Sequence, residues 1–177
     1  MPLHLDARLR AGDDPASANV LGTLLQERGL TGRSFNNGLL RFHNAASGQA
    51  AVQAVAPRLG MDSADVTPVA FDWLGRQLVA VDRDGESLAL LVDGARESVD
   101  ELCTVPQLFS LLSHEEVDEV FAGTAFTMWR ASNEVDALPF SDCVAFITPL
   151  NRGGEDSLAN TRQEAVADYW QRLNAAA

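Results

Sequence analysis

The sequence predicts an α+β fold, an antiparallel β-meander packed with several helices in a single compact domain that leaves room for two sub-lobes. Three observations point there. Between residues 66 and 92 the apolar residues fall in three short runs, 66–73, 76–81 and 87–92, separated by Leu74-Gly75 and Arg83-Asp84-Gly85, which suit hairpin turns. On either side of this block the apolar spacing becomes that of amphipathic helices. At 177 residues the chain is also long enough to bury about 70% of its unfolded surface without disulfides or a metal.

Taken in order, residues 1–13 alternate leucine with charge and are expected to be loosely held. Asp14-Pro15 reads as a helix start, with Asp14 as cap and Pro15 at the first helical position. Val20, Leu21, Leu24 and Leu25 form its inner stripe, and Gly29 stops it. Residues 39–43 read as a strand. Ser47 is the expected cap of a second helix that uses Ala51, Val52 and Val55 and closes at Pro57 and Gly60. Beyond the meander, Thr104-Val105-Pro106 opens a helix with Leu108, Phe109, Leu111 and Leu112. Ser113 followed by Glu116 then matches a capping box for a helix facing Val117, Val120 and Phe121 inward. Residues 124–132 bring Phe126 and Trp129, residues 143–147 form a strand, and residues 163–173 the last helix. The stretch 60–68 is the one internal boundary, separating 14–60 from 61–177.

Charge narrows the function classes. Twenty-five acidic residues face thirteen basic ones, all arginine, for a formal charge of −12. A chain without lysine and with this balance does not suit phosphate or polyanion binding; its field repels nucleic acid and anionic membranes and draws in a basic partner. Cys103 and Cys143 have neither CxxC nor zinc-knuckle spacing and are expected to be buried thiols of a reducing compartment. The segment MPLHLDARLRAGDD lacks the features of a secretory signal, and no apolar stretch approaches the roughly 20 residues of a bilayer span. A cytoplasmic protein is expected.

No catalytic constellation stands out, and neither an enzyme nor a cofactor is expected. His4, His43 and His114 have no partner legible in sequence, and His114-Glu115-Glu116 lacks the one-turn spacing that sets two metal ligands on one helix face. Cys143 opens an apolar strand and reads as a packed thiol. Ser47, Ser141 and Ser157 lack the G-x-S-x-G context. Asn151-Arg152-Gly153-Gly154-Glu155-Asp156 lacks the lysine of a phosphate loop and reads as a tight turn with glycines at positive φ. The block Glu115, Glu116, Asp118 and Glu119 has two readings: carboxylates complementing a helix dipole, or a docking face for a basic partner.

The segment 143–170, CVAFITPLNRGGEDSLANTRQEAVADYW, joins a strand, a Pro-Leu step, a Gly-Gly-acidic turn, Asn160 and a helix ending in Tyr169-Trp170. In this it resembles the C-terminal domain of the type VI secretion immunity proteins. Phe71-Asp72-Trp73-Leu74-Gly75-Arg76-Gln77 with Val81-Asp82-Arg83 is similar to an upstream stretch of that family. Phe35 to Asn44 resembles the strand of the GAD-like part that precedes it. The resemblance spans about residues 20–172 and departs at Ala45, where the family has proline, and at Asn151-Arg152. It implies a GAD-like helix-strand-helix part at 14–60 and an immunity-type domain at 61–177. It further implies an antitoxin-like protein that binds and neutralises a basic toxin, often a nuclease. The loop residues Asn151, Arg152, Glu155 and Asp156 then join the acidic block as partner-binding candidates. The alternative is a regulatory or small-ligand-binding domain of the same fold without a toxin partner.

Overall fold

The structure, a computed structural model, describes residues 2–113 and 116–175 apart from the Arg8 side chain. A seven-stranded antiparallel sheet organises it, and spatial order follows chain order. Its strands are β1 (Leu5–Arg10), β2 (Arg33–Phe35), β3 (Leu40–Phe42), β4 (Val66–Asp72), β5 (Gln77–Arg83), β6 (Glu86–Asp93) and β7 (Ser98–Thr104). The expected meander is its centre. The β5–β6 ladder runs unbroken from Gln77↔Val92 to Arg83↔Glu86, closed by Asp84 and Gly85, both at positive φ, as a tight hairpin requires.

Alternation along these strands divides the core in two. Leu78, Ala80, Ala89 and Leu91 face one side, and Val79, Val81, Leu88, Leu90 and Val92 the other. The first side is covered by α1 (Val20–Glu27), α3 (Val105–Leu111), α4 (Val117–Val120) and α5 (Gly123–Ser132), through Leu21, Leu25, Leu108, Val117, Phe121, Phe126 and Trp129. The second is covered by α2 (Ala45–Leu59), the two-stranded sheet of β8 (Asp142–Phe146) and β9 (Thr161–Ala165), and α6 (Val166–Ala175). Val55, Ala56, Ala145, Phe146, Tyr169, Trp170 and Leu173 fill that layer. The product is a three-layer α+β architecture. No helix among the described residues is long and apolar enough to cross a membrane.

Within the N-terminal segment, β1 forms one edge of the sheet, pairing Leu5 with Phe35 and Arg10 with Arg33. The Asp6 carboxylate fixes it by accepting from Ser34 Oγ at 2.7 Å, Asn37 N at 2.8 Å and Gly38 N at 3.1 Å. Several expectations need correction. Asp14-Pro15 does not start the first helix. Pro15 bridges Asn44, keeping this segment extended, and Asn19 caps α1 by accepting from Gly22 N at 2.9 Å. Ser47 is not the cap of α2 but its third residue. Asn44 is the cap, and the pair close a reciprocal capping box at 3.0 and 3.1 Å.

The Ser113–Glu116 box spans residues 114 and 115, outside the described residues; Glu116 precedes α4 without a side-chain cap bond. A box of this type forms instead at α3, between Thr104 and Gln107. The last helix begins at Val166, because residues 161–165 pair with β8 from Asp142↔Ala165 to Phe146↔Thr161. β3 and β4, on either side of α2, are hydrogen-bonded neighbours in one sheet.

Arg41 joins the layers. Its wholly buried guanidinium lies 4.5 Å over the Phe71 ring and donates to the carbonyls of Pro139 at 3.0 Å, Asp72 at 2.7 Å, and Asp142. Burial lowers its pKa to about 10, against the opposing pull of neighbouring acidic groups.

Candidate functional site

The sequence-derived binding residues do not form one surface. Glu116, Asp118 and Glu119 lie with α4 in the layer over the first core, whereas the 150–156 turn follows β8 on the opposite side of the sheet. Glu115 lies outside the described residues. Asp118 is occupied locally, accepting from Thr124 Oγ1 at 2.9 Å. Asp156 meets Arg96 at 2.6 Å, and Arg96 also binds Asp93 at 2.8 Å. Asn151 N donates to Ala95 O at 2.9 Å, and Arg152 reaches Leu173 O at 3.4 Å. Glu116, Glu119 and Glu155 remain exposed.

The segment forms the tight turn expected, but only one of its two glycines takes positive φ. Gly153 adopts φ +82°, and a Cβ on Gly154 would overlap the Thr148 carbonyl. Asn160 holds the turn from across it. Its Oδ1 accepts from Thr148 N at 3.0 Å, and its Nδ2 donates to Thr148 O at 2.8 Å and Glu155 O at 2.9 Å.

Arginine is divided between interior and surface, with Arg10, Arg28, Arg83, Arg96, Arg152 and Arg162 exposed. Arg41 is buried, the side chains of Arg58 and Arg76 are 15% and 14% exposed, and these arginines serve carbonyls or carboxylates within the fold. Asp82, Asp84, Glu86, Asp100, Glu101, Glu116 and Glu119 are exposed. Among the described residues none of them has an arginine within ion-pair distance. The outer surface thus carries the excess of carboxylates over arginines that the composition implies.

Sequence reasoning missed a cleft of about 830 Å³ between α2 and α6. Its floor is His43, Phe71 and Gln77, and its walls include Ala46, Ala50, Ala54, Phe140, Ala167 and Trp170. His43 Nε2 lies 3.0 Å from Gln77 Oε1, and Gln77 Nε2 donates to Gly75 O at 3.3 Å. That orients the amide oxygen toward the ring, so Nε2 carries the proton and Nδ1 accepts from Ser47 Oγ at 3.0 Å. Residues 43 and 47 are one helical turn apart, the only sequence signal for this group. Gln77, thirty-four residues beyond His43, had none.

A serine, a histidine and an amide in line invite a nucleophile–base–orienter reading. The energetics oppose it. Burial lowers the His43 pKa to about 4, the Gln77 hydrogen bond resists, and the Arg41 charge lowers it further. Protonating the ring at pH 7, as a general base must, costs about 4 kcal/mol, and Gln77 offers no negative charge to offset that. The line is a fixed hydrogen-bonding floor. Burial likewise raises the Cys143 thiol pKa well above its ordinary value, which fits the packed thiol expected. Among the described residues no cluster of three or more His, Cys, Asp or Glu side chains is placed to hold a metal.

Fold and site together define a three-layer α+β protein with an acidic exterior and an uncharged cleft beside its C-terminal helix. Among solved structures, the chain is similar to the crystal structure of Atu4351 from Agrobacterium tumefaciens, with a TM-score of 0.63 at 13% identity over 99% of this chain and 86% of that one. At that identity the likeness concerns the fold alone. No protein-family model matches the chain, and no curated protein is found similar to it.

Proposed function

We propose that the protein is an immunity protein that binds and neutralises a secreted toxin with a basic surface, such as a nuclease effector of a type VI secretion system, in the cytoplasm and without catalysing a reaction. The observation that carries this reading is the acidic surface, on which Asp82, Asp84, Glu86, Asp100, Glu101, Glu116 and Glu119 stand exposed with no arginine within ion-pair distance among the described residues. A nuclease needs a basic groove for its substrate, and an acidic protein that occupies the groove gains both encounter rate and selectivity. Neutralisation demands nanomolar binding or tighter, on the order of −12 kcal/mol, from a preformed surface. The exposed Glu116 and Glu119 of the α4 face are suited to that use, while the Asn160-braced turn lies on the opposite side of the sheet.

The test is co-expression with the effector encoded beside this gene. Rescue of growth by soluble protein supports the reading; toxicity undiminished by soluble protein refutes it. Glu116→Gln with Glu119→Gln, leaving Asp118 to hold Thr124, is expected to weaken toxin binding and flatten its salt dependence. The α2–α6 cleft favours a second reading, a regulatory domain of the same fold that binds a small ligand in place of a toxin. A molecule retained through purification, together with absent rescue, would decide for it.

A further inference from the structure

The cleft between α2 and α6 has the size of a small-molecule site, about 830 Å³ against a usual range of about 300–1,000 Å³. Its opening is fixed by a polar clamp at one end. Arg58 Nε donates to Asn174 Oδ1 at 2.7 Å, Arg58 Nη2 to Leu173 O at 3.0 Å, and Asn174 Nδ2 to Ala54 O at 3.0 Å. Between clamp and floor, Ala46, Ala50 and Ala54 recur every four residues along one face of α2. Side chains this small leave open the space that two helices ordinarily fill with leucine or isoleucine.

The aromatic surfaces are set in advance. Trp170 is held by its Nε1 donating to Gly75 O at 2.7 Å. Phe140 stands edge-on to Phe71, at 88° and 5.6 Å, and Phe71 lies 5.0 Å from the His43 ring. The decisive property is electrical. In a chain with 21% charged residues, no Asp, Glu or Arg lines the cleft among the described residues, and His43 is held neutral by its burial. An ion entering would lose its water and find no charged side chain in the lining to pair with, since the nearby Arg41 and Arg58 are committed to carbonyls and to Asn174, whereas an uncharged molecule would lose little.

We propose that this cleft binds an uncharged, ring-bearing amphiphile. Its rings lie against Phe140 and Trp170, and a hydroxyl, carbonyl or amide end is turned toward the floor at Ser47, His43 and Gln77. The proposal does not rest on the toxin reading, and its test is separate from growth rescue.

The experiment titrates the full-length protein with two dyes that share one ring system. N-phenyl-1-naphthylamine is neutral; 8-anilino-1-naphthalenesulfonate adds a sulfonate. The neutral dye is expected to bind one saturable site with blue-shifted emission, and the anion at least tenfold more weakly. Ala50 is exposed on α2, so Ala50→Trp fills the cleft without disturbing the core and is expected to weaken the neutral dye at least tenfold. Ala50→Arg introduces a cation and is expected to shift preference toward the sulfonate. Absence of saturable binding, equal affinity for both dyes in the unaltered protein, or undiminished binding to a folded Ala50→Trp variant each overturns the proposal.

Discussion

Replacing His43 by glutamine offers a test of the cleft's floor through the acid stability of the fold. The ring is 3% exposed, and its burial lowers the pKa from 6.5 to about 4. The folded protein therefore resists protonation at a site that the unfolded chain protonates readily. His43 contributes a stability that is complete above the unfolded pKa and is lost as pH falls from 6.5 toward 4. Linkage between these two pKa values gives a loss of about 2 kcal/mol between pH 7 and pH 5, approaching about 3 kcal/mol below pH 4. Asp72 opposes part of this trend, since burial raises its pKa and the folded state takes up its proton more readily. The difference between the two proteins, not the absolute curve, is therefore the measurement. Urea unfolding at half-unit pH steps from 8 to 4.5 gives both stabilities. The original protein is expected to lose about 2 kcal/mol more than His43→Gln by pH 5. Parallel curves for the two proteins would refute the assignment of a neutral, desolvated histidine.

Arg41→Met removes the donor to three buried carbonyls and is expected to destabilise by about 3–5 kcal/mol in chemical denaturation. Arg41→Lys should recover little of this, since a point charge cannot span the same acceptors. Asn160→Ala, which releases the Thr148 and Glu155 contacts, is expected to cost about 2 kcal/mol and to raise amide exchange through residues 148–155, leaving β4–β6 protected. Cys143, buried at 0% exposure, should resist Ellman's reagent until the protein unfolds, while half-buried Cys103 reacts in the native state; equal native rates would contradict the packing described for β8.

The meander was legible because it is covered on both faces. Its strands read as nearly continuous apolar runs between glycine-bearing turns, a local signal that one sequence carries well. β7 was invisible for the complementary reason. Ser98-Val99-Asp100-Glu101 lies on the sheet edge with Val99, Asp100 and Glu101 exposed, and the carboxylates that erase an apolar pattern also discourage pairing with another chain. β9 was mistaken for helix because Arg162, Gln163, Glu164 and Ala165 all favour helices. Its strand state is imposed by pairing with β8 and by Glu164, held between Arg162 and Arg172 at 2.5 and 2.7 Å. The caps erred by small distances, since Asp, Asn and Ser are chemically equivalent at that position and only the tertiary bridge from Pro15 to Asn44 distinguishes them. Of the candidate site, the Gly-Gly turn and Asn160 could be singled out in sequence. The cleft could not, because it arises where helices more than a hundred residues apart stand beside each other.

The short turn after β4 has hydrogen bonds reaching both outer layers. Trp73 Nε1 donates to Phe121 O at 2.8 Å and Arg76 Nη2 to Val120 O at 2.9 Å on one side. On the other, Gly75 O receives Trp170 at 2.7 Å and Trp73 O receives Val144 N at 2.7 Å. Like a rivet through three plates, these three residues leave neither outer plate free to lift without loosening the other.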